Sequence, residues 1–263
     1  MGLVLLWVSA ATSQIEIPAH SPPVNFRIVG TGRSFLAENV RKECDAWRAK
    51  LVAHWGLPSP DQWSPPCEVF IHADRGSYRS AVGPGGDATF GSSSIEFKGR
   101  DVSRRRLDLL PDARGELSAL GHELTHVILA DGFGGRQPPR WFDEGIAVLA
   151  DHRDKQNRHL QDVSTALAQR TAFSVGELMS LDRYPGANRM GAFYGQSFSL
   201  TLLLSQHDAP EKLIPFMQHA FEHGYDDALR KVYRIEGVAG LQMLWRKYQL
   251  AAKPYGALRT AAR

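Results

Sequence analysis

The sequence has little that would place it among nucleic-acid or nucleotide binding proteins. Its formal net charge is only +3 over 263 residues, and its one basic run is Arg104-Arg105-Arg106. We interpret this run as the exposed end of a strand. The glycines of residues 83–86 are too few and wrongly placed for a phosphate-binding loop, so a flexible loop is predicted there. We therefore expect no nucleic-acid partner.

Cysteine is also scarce. Cys44 and Cys67 are the only two, and neither has the spacing of a metal site. The pair leaves two alternatives, namely one disulfide in an exported protein or two buried, unpaired thiols. Neither cysteine is a candidate metal ligand.

Apolar runs of membrane-spanning length are missing as well. The first dozen residues are apolar, but such a run is too short to cross a bilayer. It resembles the core of a secretory signal, with small residues from Ser9 to Ala11 for a signal peptidase, although a basic n-region is lacking. We expect residues 1–17 to be a signal-like segment of an exported, periplasmic or extracellular protein without stable membrane insertion. The alternative is a first buried strand in a cytoplasmic protein.

The most informative stretch present is His122-Glu123-Leu124-Thr125-His126. On a helix, two histidines four residues apart lie one above the other and can bind one metal ion, for which zinc is the first candidate. Catalytic zinc takes three protein ligands, commonly two His and one Glu, and leaves a fourth position for water. Glu123 is placed to act on that water as a general base. Glu144, 18 positions after His126, suits a third ligand on a second, antiparallel helix.

The setting of the motif supports a buried helix over residues 113–131, with Asp112 as its N-cap. The face opposite to the apolar stripe carries the two histidines with small, hydroxyl or apolar residues instead of Lys, Arg or Glu, so it is predicted to be buried too. The alternative is two core histidines with ordinary hydrogen-bond partners. The stripe at helical spacing consists of Leu117, Leu120, Leu124, Val127 and Ile128.

A second segment, Trp141-Phe142-Asp143-Glu144-Gly145-Ile146-Ala147, completes the pattern. Together the two segments resemble the gluzincin clan of zinc metallopeptidases, and in particular its peptidase-MA-like families; the second is similar to the Trp-Leu-Asn-Glu-Gly-Phe-Ala of M1 aminopeptidases. The resemblance implies one zinc ion held by His122, His126 and Glu144, with Glu123 as base. Thermolysin-like members carry an Asp four residues after the ligand Glu, where this chain has Val148. Support for the ligands must come from elsewhere, with Asp143 and Asp151 as candidates.

The resemblance also assigns two further functions. In gluzincins the strand before the zinc helix pairs with an extended substrate, which implies a substrate-binding edge at Gly91, Ser92, Ser93, Ser94 and Ile95; the alternative is a plain edge strand. These enzymes use a Tyr or His of the C-terminal lobe to stabilise the oxyanion.

Tyr194 is our choice for that donor, because glycines on both sides allow close approach. Tyr184, His152 and His159 are alternatives. An ordinary half-buried aromatic at the start of a helix is the structural alternative for Tyr194.

These patterns predict an α+β, zincin-like fold: a small N-terminal sheet with helices, a central pair of zinc-binding helices and an all-helical C-terminal lobe. The divisions are residues 18–131 for the N-terminal lobe, 132–253 for the helical lobe and 254–263 for a frayed tail. Predicted strands are 24–29, 68–72, 92–97 and 106–110, and predicted helices are 34–55, 113–131, 141–151, 160–170, 175–181, 191–206, 210–222, 226–233 and 238–250.

The function predicted from the sequence is a zinc metallopeptidase that acts on a peptide or protein substrate. The Gly-Ala-Met-Glu-Asn type of motif, which M1 enzymes use to hold a substrate amino terminus, is absent, so an aminopeptidase is disfavoured. Two alternatives stay open. One is a zinc hydrolase for another amide or a cell-wall peptide, and the other is a non-catalytic binding module with a zinc-stabilised fold, which would have no use for Glu123.

Overall fold

A computed structural model describes residues 24–29, 36–57 and 60–251. The signal-like segment of residues 1–17 and the tail of residues 254–263 lie outside the described residues. The strands are β1 (Phe26–Val29), β2 (Cys67–Ile71), β3 (Gly91–Lys98) and β4 (Asp101–Leu109). The α-helices are α1 (Ala37–Trp55), α2 (Arg75–Val82), α3 (Leu120–Gly132), α4 (Arg140–Leu149), α5 (Arg153–Ala168), α6 (Val175–Met179), α7 (Met190–His207), α8 (Leu213–His223), α9 (Tyr225–Ala228) and α10 (Gly237–Ala251), with 3-10 turns at Pro84–Asp87, Ala187–Arg189 and Pro210–Lys212 and a π-helical turn at Leu229–Tyr233.

The strands form one sheet in the order β1-β2-β4-β3. β1, β2 and β4 are parallel, whereas β3 runs antiparallel to β4, with Gly91 opposite Leu109. Parallel neighbours need a crossover, and α1 supplies the one between β1 and β2. The antiparallel strand β3 lies at the edge of the sheet, as the polar sequence of this strand predicts. The described residues after α3 are helical or irregular, which confirms the α+β class.

Helix α1 covers the sheet with one face. Its buried residues, Val40, Cys44, Leu51 and Trp55, recur at helical spacing and pack towards β1 and α3. Cys44 and Cys67 are both buried and both free thiols, so of the two sequence alternatives the structure contains the unpaired one.

Helix α3 is buried on nearly all of its faces. The predicted apolar stripe is confirmed, since Leu117 is 7% exposed and its other four members are at most 1% exposed. The start was placed too early: α3 begins at Leu120, and the prediction of Asp112 as its N-cap is wrong. The Asp112 carboxylate accepts hydrogen bonds from the backbone N–H groups of Arg114 and Glu116, and it thereby closes a separate turn before the helix.

A helix was missed between β2 and β3. The sequence interpretation treated residues 83–86 as a flexible loop, but α2 precedes them and a 3-10 turn covers Pro84–Asp87. Asp74 caps α2 by accepting a hydrogen bond of 2.7 Å from the Ser77 N–H, a capping residue type visible in the sequence. α5 also begins earlier than predicted, at Arg153.

Helix α7 packs closely against α4 and α5. Two glycines make this close packing possible. A Cβ atom at Gly145 of α4 would lie 2.5 Å from the backbone carbonyl oxygen of Ser197, and one at Gly195 of α7 would lie 2.5 Å from that of His159. The three helices thus bring Glu144, His159 and Tyr194 to one region. Within the described residues no helix is both long and apolar enough to traverse a bilayer.

Candidate metal centre

Three side chains from two helices converge beside the sheet. His122 and His126 occupy successive turns of α3, with ring centroids 5.0 Å apart, and Glu144 approaches them from α4. One ligand atom from each of the three lies within 4.8 Å of the other two. All three are less than 9% exposed. In the part of the chain that the structure describes, this is the one group of His, Cys, Asp or Glu side chains with a geometry that could hold a metal ion.

Each histidine is oriented by a carboxylate on its far side. The Nδ1 atom of His122 lies 2.9 Å from Asp151 Oδ2, and the Nδ1 atom of His126 lies 2.7 Å from Asp143 Oδ1. The Nε2 atoms therefore face Glu144 Oε2, at 3.6 Å from His122 and 3.9 Å from His126. The two acidic residues named as candidates from the sequence thus contact one histidine each. These carboxylates orient the two imidazole rings, which the apolar side chain of Val148 could not do.

The second carboxylate oxygen of Glu144 accepts a hydrogen bond from the Tyr184 hydroxyl. Tyr184 lies in the segment between α6 and α7, forty residues from Glu144, so nothing in the local sequence indicates this contact. Burial and the nearby Glu144 charge raise the pKa of Tyr184 well above its usual value, so the phenol is neutral and donates its proton.

The charges of the centre are strongly coupled. Burial lowers the pKa of both histidines, but contacts with carboxylates outweigh it: Asp151 and Glu144 raise the pKa of His122 to about 9. Asp143 and Glu144 likewise raise the pKa of His126 to about 10. Burial raises the pKa of Glu144, yet the two histidines hold it at about 2. A divalent cation among these groups would take the place of the imidazole protons.

The donor set fits zinc. Two imidazole nitrogens and one carboxylate oxygen converge on one point, and the other nitrogen of each ring is held by a carboxylate, an arrangement found around ligand histidines. Three protein donors leave a position open for water or substrate, which distinguishes such a group from a closed structural site.

Glu123 lies between the histidines in sequence and next to the sheet in space. A Cβ at Gly91, the first residue of β3, would lie 2.5 Å from Glu123 Cγ, so only glycine allows this approach. The Glu123 carboxylate lines the cleft and forms no hydrogen bond or ion pair with the residues that the structure describes. It is therefore available to a substrate or a water.

An open cleft of about 1440 Å³ runs past the centre. The five residues predicted to bind substrate, Gly91 to Ile95, line one side of it. The predicted oxyanion donor Tyr194 and its alternatives Tyr184, His152 and His159 also line it, so the structure does not choose among them by position alone.

Three stacked rings and a guanidinium lie beside the candidate metal ligands. The His159 ring is stacked on Tyr194 at 5.7 Å, Tyr194 on Tyr184 at 6.4 Å, and the Arg140 guanidinium lies 4.3 Å from the centre of the Tyr184 ring. The sequence interpretation named the three rings separately but missed Arg140. Arg140 lies four residues before Glu144, and residues with this spacing share one face of a helix, so the sequence could have indicated that Arg140 lies near the centre.

Comparison with known proteins gives one finding. The family model of the Peptidase MA superfamily matches residues 113–251, more than half of the chain, from the turn before α3 to the end of α10. The match includes both helices of the centre and the supporting residues Asp151 and Tyr184. Neither the comparison with curated proteins nor that with solved structures gives a match. The family indicates a metallopeptidase-like function, and by this match the chain belongs to the Peptidase MA superfamily.

Proposed function

We propose that the protein is a zinc-dependent metallopeptidase of the gluzincin type, with His122, His126 and Glu144 as ligands of one zinc ion. The observation that carries the proposal is the convergence of these side chains, each histidine oriented by its own carboxylate, at the wall of an open cleft. A metal site used only for structure has no need of such a cleft.

Glu123 is the proposed general base. Bound zinc supplies Lewis acidity, which polarises a substrate carbonyl and lowers the pKa of water to about 7. The Glu123 carboxylate accepts a proton from the attacking water and then delivers it to the leaving amine. Its lack of a hydrogen-bond or ion-pair partner among the described residues supports this role, because its oxygens are free to accept a proton from water.

Two tyrosines are proposed for the remaining two functions, which are orientation of Glu144 and stabilisation of the oxyanion. Since the Tyr184 hydroxyl already donates to Glu144, we assign Tyr184 to the orientation of that ligand. Tyr194 is left as the proposed donor to the oxyanion. Burial and the charges of Glu144 and Glu123 raise the pKa of Tyr194, so its phenol keeps the proton that it must donate.

The free edge of β3 is the proposed substrate-binding strand. Among the described strands β3 pairs with β4 alone, and residues 91–95 of β3 line the cleft. An extended peptide on the other side would form main-chain hydrogen bonds that do not depend on its sequence. Gly91 places the first residue of this strand against Glu123, which would bring the peptide to the base.

The test uses Glu123→Gln in the full chain. The variant should bind one zinc per chain by metal analysis, while its hydrolysis of a peptide library falls by several powers of ten, because only the base is lost. Unchanged turnover would remove Glu123 from the mechanism. Zinc binding without hydrolysis of any peptide by the unaltered protein would favour the binding module, and hydrolysis of cell-wall peptides alone would favour the narrower amide hydrolase.

A further inference from the structure

Arg140 is a cation in a position that its own helix disfavours. It is the first residue of α4, where the positive end of the helix dipole repels a guanidinium. Among the described residues it forms no ion pair and no hydrogen bond. Asp182 and Asp154 line the same cleft, yet neither pairs with it. Neither the helix dipole nor an ion pair among the described residues therefore accounts for a cation at this position.

The guanidinium is nevertheless held in place. Its centre lies 4.3 Å from the middle of the Tyr184 ring, and the hydroxyl of that ring donates to Glu144. One aromatic side chain thus separates the cation from a proposed metal ligand. The contact with the ring uses none of the guanidinium N–H groups as hydrogen-bond donors to a carboxylate, and a guanidinium can bind a carboxylate in a bidentate manner.

The other cations of the cleft are less suited to such a role. Lys155 is bound to Asp151 at 2.9 Å, and Arg114 lies 3.1 Å from Glu116. Within the described residues Arg158 has no carboxylate partner either, but it is exposed on α5, and no ring contact or hydrogen bond fixes its position. Among the described cations that line the cleft, Arg140 is the one that lies over an aromatic ring and has no ion-pair partner.

We propose that Arg140 binds a carboxylate of the substrate close to the scissile bond, so that the enzyme prefers acidic peptides. The carboxylate belongs to an Asp or Glu side chain or to the C-terminus of a short peptide, since both offer the same pair of oxygens. This inference rests on the proposed function, because it names the substrate class of that site.

Binding and hydrolysis are measured separately. Zinc-loaded Glu123→Gln protein is titrated with fluorescent peptides that differ only by Glu against Gln, or only by a C-terminal carboxylate against a carboxamide. In one of the two pairs, we expect the acidic peptide to bind at least about tenfold more tightly than its neutral counterpart, because a charge-assisted bidentate contact provides such a difference. The pair that shows the difference identifies the source of the carboxylate.

Two substitutions of Arg140 are then made separately, each in the Glu123→Gln protein. Arg140→Met keeps an apolar chain over the Tyr184 ring and should abolish the preference with zinc content unchanged, while Arg140→Lys should keep part of it. The matched control is Arg136→Met, which removes a guanidinium that lies 5.7 Å from the Phe221 ring and does not line the cleft. It should leave the preference intact.

The outcomes separate the two proposals. Equal binding of acidic and neutral peptides, or a preference that survives Arg140→Met, overturns the role of Arg140 even if the unaltered protein hydrolyses peptides. Binding that depends on Arg140, without hydrolysis of any peptide by the unaltered protein, supports the carboxylate site and overturns the peptidase function.

Discussion

The two walls of the cleft are built on different principles. On the helical wall, formed by α3 and α4, the proposed ligand side chains are buried and each has a specific polar partner. On the strand wall, formed by residues 91–95 of β3, one side of the backbone pairs with no strand of the described part of the chain, and Ser94 is exposed. Under the proposed function, the chemistry depends on fixed side chains, whereas substrate contact depends on backbone groups that any sequence supplies. Substitutions on the two walls should therefore have different effects.

The largest effect is expected from Glu144→Ala on the helical wall. Loss of a ligand should weaken zinc binding by more than the roughly 10- to 100-fold that loss of a supporting partner costs. Competition with a chromophoric chelator measures this affinity. Glu96→Ala, which removes an exposed carboxylate that also lines the cleft, is the control and should leave zinc affinity unchanged. Equal affinities of both variants would remove Glu144 from the ligand set.

Tyr194→Phe comes next and concerns turnover alone. Loss of one oxyanion donor costs on the order of a hundredfold in kcat, and zinc should be retained. Tyr184→Phe should instead lower zinc affinity, because its hydroxyl contacts Glu144. Steady-state kinetics with metal analysis separates the two, and Tyr248→Phe near the C-terminal end of α10 is a control with normal kcat. A normal rate for Tyr194→Phe would move the oxyanion role to another residue.

Asp151→Asn and Asp143→Asn should have intermediate effects. Each removes the negative charge that orients one ligand histidine, and zinc affinity should fall roughly 10- to 100-fold in either variant. The same chelator competition measures it. Affinities equal to that of the unaltered protein would show that the histidines do not need these carboxylates.

The smallest effect is expected where the strand wall meets the helical wall. In Gly91→Ala the new methyl group would lie 2.5 Å from Glu123 Cγ, so the strand or the base must shift. Overpacking of this kind costs about 1–3 kcal/mol in the free energy of unfolding, which denaturant titration measures. Turnover should fall while zinc affinity stays unchanged. The control is Ser94→Ala on the same strand, which should leave both turnover and zinc affinity unchanged. A loss of zinc binding in Gly91→Ala would contradict the separation of the two walls.

The sequence predicted the helical wall better than its surroundings, for a physical reason. His122 and His126 are related by the period of a single helix, so a local pattern places them together. Asp143 and Asp151 were predictable as candidates because Asp143 lies within the second motif and Asp151 lies four residues after it. The Tyr184 contact with Glu144 spans forty residues and depends on how α7 packs, which no local period encodes. Asp112 was misassigned because a carboxylate that caps a helix and one that closes a turn look alike in sequence.

The central claim is tested most directly by a crystal structure of the zinc-loaded protein with anomalous data at the zinc edge. The account predicts one peak per chain, about 2.0–2.1 Å from the Nε2 atoms of His122 and His126 and about 2.0–2.2 Å from a Glu144 carboxylate oxygen. A peak at any other group of side chains, or none at this centre despite bound zinc, would contradict it.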